Sequence, residues 1–355
     1  MQLPIRGTMV KPSAPADKRS VVVDLAKGIA ITLVVIAHYH PDDSPGWWNG
    51  LNDLISQIDV RVFFFLAGYV WHLRPGEPYL SYLGRKARRL LIPYFALAVL
   101  FLSIKIVPSH VMHLVNPVSL ASVANIFIDP LHSYVPLLWF LYSLFCIQAV
   151  FPAIQKLGPR TFPVLIVIAG VWGIPTMFLC LGPTWENLPC FLAGAYVAQV
   201  LRIDLDRDVS RNTLLPAVIG TVLFLSLWEL RTPGAVLGER VSDALLGTIG
   251  VTATILVCRS IAGCKPRWLT VLAYIGASSM TIYLFHTLFE SSARVVCYQV
   301  PMLRGFSFLA KAVAAIVAGV ALPIAVQRLV IHLRALWSLK CAGRDLEQTT
   351  VIPEG

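Results

Sequence analysis

What most constrains this chain is a succession of apolar stretches, each long enough to cross roughly 30 Å of hydrocarbon, joined by short polar or basic links. They fall at 21–40, 54–73, 90–109, 134–152, 162–181, 186–201, 213–230, 244–263, 271–290 and 306–333, about ten in all. Runs of this kind satisfy their backbone polar groups in lipid as helices. The expected fold is therefore all-α, a polytopic membrane protein built as a bundle of about ten transmembrane helices. Composition agrees, since 57% of the 355 residues are hydrophobic and only 14% charged, against about 25% charged in soluble domains. The sixth stretch is short, and LGPTWENLP at its start reads as a tight turn, so the fifth and sixth are expected to form a hairpin of uneven depth.

The formal net charge is +10, but Lys and Arg do not form the aromatic-interleaved strip that holds nucleic acid. They gather in alternate links: Arg85, Lys86, Arg88 and Arg89; Lys156 and Arg160; Arg202, Arg207 and Arg211; Arg259, Lys265 and Arg267; and Arg334, Lys340 and Arg344. The other links hold HPDDSPGWWNG, a Lys- and Arg-free segment at 110–133, GPTWE, and the scattered Arg231, Arg240, Arg294 and Arg304. Roughly 21 of the 29 basic residues lie on the first side, which the positive-inside rule makes cytoplasmic, with both termini inside. The expected organisation is a cytoplasmic tail at 1–20, a membrane domain at 21–334 and a second cytoplasmic tail at 335–355. The first apolar run reads as a retained span and not a cleaved signal. No link is long enough for a separate soluble core. The seven cysteines are scattered without paired spacing, as small apolar packing residues would be. His110, His113 and His132 lack ligand spacing, so no metal is expected.

Ionisable groups inside spans are costly and mark function by default. In DLAKGIAITLVVIAHYH (24–40), Asp24, Lys27, Ile31, Val34 and His38 share one helical face at about 100° per residue, and Lys27 and His38 are separated by roughly 16 Å of rise. Lys27 then lies in the cytoplasmic half and His38 at the outer end. A plainer reading makes Asp24 and Lys27 an interfacial i,i+3 pair and lets His38 end the helix near water. In SSMTIYLFHTLF, Ser279, Tyr283 and His286 recur at i, i+4 and i+7 on one face, again with the histidine outward; the plainer alternative is a hydroxyl-lined helix contact. DVRVFFFLAGY places Asp59 and Arg61 in the outer third of the second span, where Arg61 either snorkels or pairs with Asp59. Trp139, Tyr142 and Glu186 also lie outward, the aromatics at a depth typical of interfacial belts.

Taken in order, these segments resemble the membrane-bound acyltransferase family 3, in particular fucose 4-O-acetylase-like proteins and other bacterial glycan O-acetyltransferases. The likeness rests on Lys27 and His38 in DLAKGIAITLVVIAH, FFFLAGY in the second span, RKARRLLIPYF entering the third, LWFLYSLF, NLPCFLAGAYVA and SSMTIYLFH. It covers most of 21–290. Two departures are Ala67, where relatives carry serine, and Arg61, where many carry aspartate or proline.

The resemblance implies a multi-pass protein of the bacterial inner membrane that moves an acyl group, most often acetyl, from acyl-CoA to a sugar hydroxyl, with His38 essential as general base or acyl carrier. Acetyl-CoA would be the co-substrate, its phosphates held by Lys27, Arg85, Lys86, Arg88 and Arg89. Asp59, Glu186 and His286 would orient the base or hold the sugar. Ser279 and Tyr283 would bond the oxyanion, and Arg61, Trp139 and Tyr142 would line the acceptor's place. The expected partners are acyl-CoA, a glycan or other hydroxyl-bearing acceptor, and the bilayer. The rival reading is a transporter or flippase of a lipid-linked sugar, whose broken helices and internal repeats are not evident in the sequence. A purely structural scaffold leaves the aligned Lys27 and His38 without a reason.

Overall fold

The computed structural model describes residues 20–109, 118–176, 178–207, 211–231, 236–264 and 266–349. The first 19 residues, His110, His113 and Lys265 lie outside them, as do the side chains of Arg211, Lys340 and Arg344. Every regular element among the described residues is helical: α1 (Val21–His38), α2 (Gly46–Ser56), α3 (Asp59–Tyr69), α4 (Tyr79–Ser109), α5 (Leu120–Ile128), α6 (Trp139–Lys156), α7 (Thr161–Val171), α8 (Leu181–Gln199), α9 (Leu214–Leu230), α10 (Val236–Ile261), α11 (Arg267–Ala277), α12 (Ser279–Gln299), α13 (Pro301–Arg304) and α14 (Phe308–Thr349). The all-α polytopic membrane class is thus what the chain adopts.

The apolar stretches all contain helix, but they do not all run as single rods. Among the described residues five helical stretches are long and apolar enough to cross a membrane: Val21–His38, Tyr79–Lys105, Pro136–Lys156, Arg240–Ile261 and Phe308–Arg334. A sixth arises if α11 and α12 count as one span bent by 84°. The second stretch is divided between the end of α2 and the 11-residue α3. The fifth contains α7, which stops after 11 residues. α14 continues as helix through much of the segment expected as a C-terminal tail.

The hairpin expectation needs correcting at its turn. LGPTWENLP lies inside α8, where Pro183 occupies the first turn, a place in which its missing N–H costs nothing. The chain reverses upstream of it, between Trp172 and Cys180, and the left-handed backbone of Leu179 and Cys180 (φ 52° and 54°) closes the reversal. HPDDSPGWWNG, expected as a link, also carries the start of α2, and the 110–133 segment carries α5.

Glycine sets the closest helix crossings. A Cβ on Gly68 of α3 would overlap the Phe191 carbonyl of α8, and one on Gly194 of α8 would overlap the Phe65 carbonyl of α3. The same reciprocity joins α1 to α11, since a Cβ on Gly28 would strike the Leu272 carbonyl and one on Gly276 the Asp24 carbonyl. Small residues let membrane helices approach this closely and gain van der Waals contact where lipid offers no hydrophobic driving force. α12 packs along α14 and α1, and α9 along α10.

These contacts give the bundle two distinct ends. At one, α1 begins: Ser20 accepts a hydrogen bond from Val23 N, Asp206 accepts from Val22 N, and Tyr69 at the end of α3 donates its hydroxyl to the Ile203 carbonyl. At the other, α1 ends at His38, followed by a segment tied down by Trp48 Nε1 donating to the Tyr39 carbonyl (2.8 Å), Arg294 donating to the His40 carbonyl (3.0 Å) and Tyr298 donating to Asp43 (2.5 Å).

Candidate active site: an imidazole pair and a basic groove

The end of α1 brings His38 against His286 of α12, with ring centroids 4.9 Å apart and planes at 87°. Each ring spends Nδ1 on its own helix. His38 Nδ1 lies 2.8 Å from the Val34 carbonyl, and His286 Nδ1 lies 2.9 Å from Tyr283 O and 3.1 Å from Ile282 O. Carbonyl oxygens only accept, so Nδ1 must be the protonated nitrogen of both neutral rings, and Nε2 is left with a lone pair. His286 is fully buried and its Nε2 has no hydrogen-bond partner. His38 is accessible. The pair therefore consists of an accessible histidine backed by a sealed one.

An aromatic wall extends from this pair. Tyr283 lies 6.2 Å from His286 and 5.2 Å from Phe140, which packs on Phe64, itself 6.4 Å from Trp139, all between ring centroids. The Tyr283 hydroxyl donates to the Leu137 carbonyl, so the group expected to meet an oxyanion is engaged in holding the turn before α6. Tyr142 is farther along this helix, donating to the Phe127 carbonyl at 3.4 Å. Ser279 opens α12 at the bend, seven residues or about 10 Å of helical rise from His286.

The acidic candidates do not join the histidines: neither Asp59 nor Glu186 has a hydrogen bond or ion pair to either ring among the described residues. Asp59 is buried and accepts from Val60 N at 2.6 Å. Arg61 does not pair with it; Nη1 donates instead to Gln57 O (3.0 Å), Gln57 Oε1 (3.2 Å) and Asp243 O (2.7 Å). Arg61 and Glu186 meet in a separate cavity of about 90 Å³, together with Arg240 and Asp243 of α10. Gly247 and Gly173 make room there, since a Cβ on either would overlap the Arg61 or Arg240 guanidinium respectively.

At the opposite end, the first turns of α4 form an open groove of about 690 Å³ lined by Leu80, Ser81, Gly84, Arg85, Arg88 and Arg89. Arg85 is held in a two-pronged pair with Glu77, at 3.0 Å from Nε to Oε1 and 2.6 Å from Nη2 to Oε2. That guanidinium keeps the Glu77 carboxyl below its ordinary 4.5. Lys86 lies 5.4 Å from the Tyr82 ring centre, leaving the exposed Arg88 and Arg89 as the open cations. Lys27 is half-buried near the start of α1.

Sequence reasoning missed Glu290, Arg240 and Asp243. Glu290 is buried one turn beyond His286, and the i,i+4 spacing in HTLFE was a signal for it. Arg240 and Asp243 stood in a stretch assigned to a link and the edge of a span, with nothing local to tie them to Arg61.

The structure is an all-helical membrane bundle with an imidazole pair at the end of its first helix and an arginine-lined groove on the first turns of α4. A family model described as an acyltransferase domain matches residues 21–328, and the chain belongs to that family, acyltransferase 3. It is a membrane acyltransferase. No curated protein and no solved structure gives a significant match.

Proposed function

We propose that this protein transfers an acyl group, acetyl in the first instance, from cytoplasmic acyl-CoA to a hydroxyl of a sugar or glycan on the far side of the bacterial inner membrane, with His38 as the base. The observation that carries this reading is the state of His38. Its Nδ1 is fixed by Val34, which leaves the lone pair of the neutral ring on Nε2, and a neutral imidazole is matched to proton transfer near neutral pH. His38 Nε2 takes the acceptor hydroxyl proton as the oxygen attacks the thioester carbonyl, and returns it to the departing CoA thiolate. His286 backs the imidazolium that forms between those events. An acyl group carried on His38 itself is the two-step variant.

The donor is argued from the other end. CoA is a polyanion, and Arg88 and Arg89, with Lys27 and the Glu77-bound Arg85, present cations at the end of the bundle where the positive-inside rule puts the cytoplasm. The rise between Lys27 and His38, roughly 16 Å, is of the order of a pantetheine arm, so phosphates at one end and thioester at the other fit one extended molecule. Arg61, Glu186, Trp139 and Tyr142 stand at the His38 end as acceptor contacts.

Purified protein in lipid nanodiscs, given acetyl-CoA and surface glycan stripped of its esters, should release free CoA and esterify the glycan, and His38→Ala should abolish both while still accumulating in the membrane. Undiminished transfer by His38→Ala ends the assignment of the base. Absence of any CoA release by the wild-type protein, with sugar movement across the bilayer instead, would establish the flippase in place of the enzyme.

A further inference from the structure

The cavity beside Arg61 is built by four helices. α10 turns one face to it, with Arg240, Asp243 and Gly247 at i, i+3 and i+7. α3 supplies Arg61, α8 supplies Glu186, and the end of α7 completes the wall. Both guanidiniums occupy cleared positions: Arg61 lies where a Cβ on Gly247 would be, and Arg240 where one on Gly173 would be.

Charges inside a membrane bundle ordinarily pair with one another. These four share a cavity without doing so. Among the described residues no ion pair joins any two of them, Arg240 makes no hydrogen bond, and the carboxylates of Asp243 and Glu186 accept none. Arg61 spends Nη1 on Gln57 and on the Asp243 backbone carbonyl, and keeps Nε and Nη2 unbonded. Donors and acceptors therefore face a common space with their capacity unused.

Volume and charge together define what fits there. The cavity holds about 90 Å³, less than the roughly 150 Å³ that takes a benzene ring, so it admits the edge of a sugar and not the whole ring. Two arginines and two carboxylates leave no net charge for an anion to neutralise, and a phosphate or uronate would meet Asp243 and Glu186. A hydroxyl suits both kinds of group, because one oxygen accepts from a guanidinium while its proton goes to a carboxylate.

We propose that this cavity is a recognition site for two neighbouring hydroxyls of a neutral sugar, with Arg61 and Arg240 donating to the oxygens and Asp243 and Glu186 accepting the protons. These residues hold the sugar and take no part in making or breaking bonds. The inference rests on reading the acceptor as a hydroxyl-bearing glycan, and narrows it to an uncharged one gripped by an edge other than the hydroxyl presented to His38.

Melting of the full-length protein in nanodiscs tests binding without turnover, since a ligand of the folded state raises the melting temperature. Neutral methyl hexopyranosides at tens of millimolar should raise it, and glucuronate and inorganic phosphate should not. Arg240→Met and Asp243→Asn, which keep the side-chain size, should remove the shift. Trimethylamine oxide, which stabilises by exclusion from protein surfaces, gives the background that wild type and variants share. With de-esterified glycan as acceptor, Arg240→Met should raise the acceptor KM about 10-fold with little change in kcat or in KM for acetyl-CoA, the pattern of lost uniform binding. The absence of a shift with every neutral hexoside, or equal shifts in wild type and Arg240→Met, would leave the cavity to water and overturn the proposal. A larger shift with glucuronate or phosphate would make it an anion site and overturn it equally. Should Arg240→Met fail to accumulate, the neutral and anionic ligands compared on the wild-type protein still decide. If no acetyl-CoA is turned over, the transferase reading fails while the melts continue to report on the cavity.

Discussion

At the scale of single residues, the chemistry lies in which nitrogen each histidine keeps free. His38→Gln retains a polar side chain without a titratable base and should reduce acyl transfer by at least about 100-fold, a loss of the size general-base catalysis supplies, while donor binding persists in a filter assay. Arg85 and Glu77 make a separate prediction. The arginine lowers the carboxyl of Glu77, so the pair's contribution is complete above pH 4.5 and disappears as pH falls through the lowered value. Thermal melts of wild type and Glu77→Gln should therefore differ at neutral pH and converge in acid. Under the donor reading, Glu77→Gln also frees the Arg85 fork for phosphate and should lower KM for acetyl-CoA by about two- to threefold, the modest gain expected of an exposed charge contact. A raised KM would show that Arg85 needs Glu77 to hold it in place.

At the scale of helices, glycine decides how near α3 comes to α8 and α1 to α11. Gly194→Leu or Gly276→Leu should destabilise the protein by about 1–3 kcal/mol through overpacking, read as a lower melting temperature in detergent and reduced accumulation. Gly84, where a Cβ meets nothing within 4 Å, is the control that should tolerate alanine. The face of α1 carrying Lys27 and His38 was legible from the sequence, because an 11-residue separation nearly restores the helical angle. The helix breaks were not. Hydropathy reports that 54–73 and 271–290 are apolar, but whether a stretch bends depends on what its backbone meets, and the meeting of Gly276 with Asp24 lies some 250 residues apart along the chain. The polar LGPTWENLP misled for a related reason: Gly182 and Pro183 read as a turn, yet at the first turn of a helix they are tolerated, and α8 also carries Pro189 in its interior. Asp59 and Glu186 were grouped with the histidines by depth alone, and depth does not fix azimuth around the bundle. Glu290 was within reach of the same face argument that found Ser279, Tyr283 and His286.

At the scale of the whole molecule, the two ends present different surfaces. One carries the arginine groove of α4, and the other the imidazole pair and the small Arg61–Glu186–Arg240–Asp243 cavity, whose formal charges cancel (two arginines, two carboxylates). Salt screens exposed charges with a Debye length of about 8 Å at physiological strength and about 3 Å at 1 M. Raising ionic strength should therefore increase KM for acetyl-CoA several-fold while leaving KM for a neutral glycan acceptor nearly constant, and Arg88→Gln with Arg89→Gln should flatten the donor's salt dependence. Equal salt dependence for donor and acceptor would place both at the same charged surface and contradict the two-ended arrangement.

Both imidazoles commit Nδ1 to a carbonyl of their own helix. Turning the His38 ring over would break that bond, so the reactive nitrogen has a fixed bearing and the attacking oxygen has a single line of approach. A polyol presented to it exposes one hydroxyl along that line and turns its neighbours away. The ester should therefore appear at one ring position of the product sugar, and a mixture of positional isomers, once spontaneous migration is suppressed, would mean that the ring swivels.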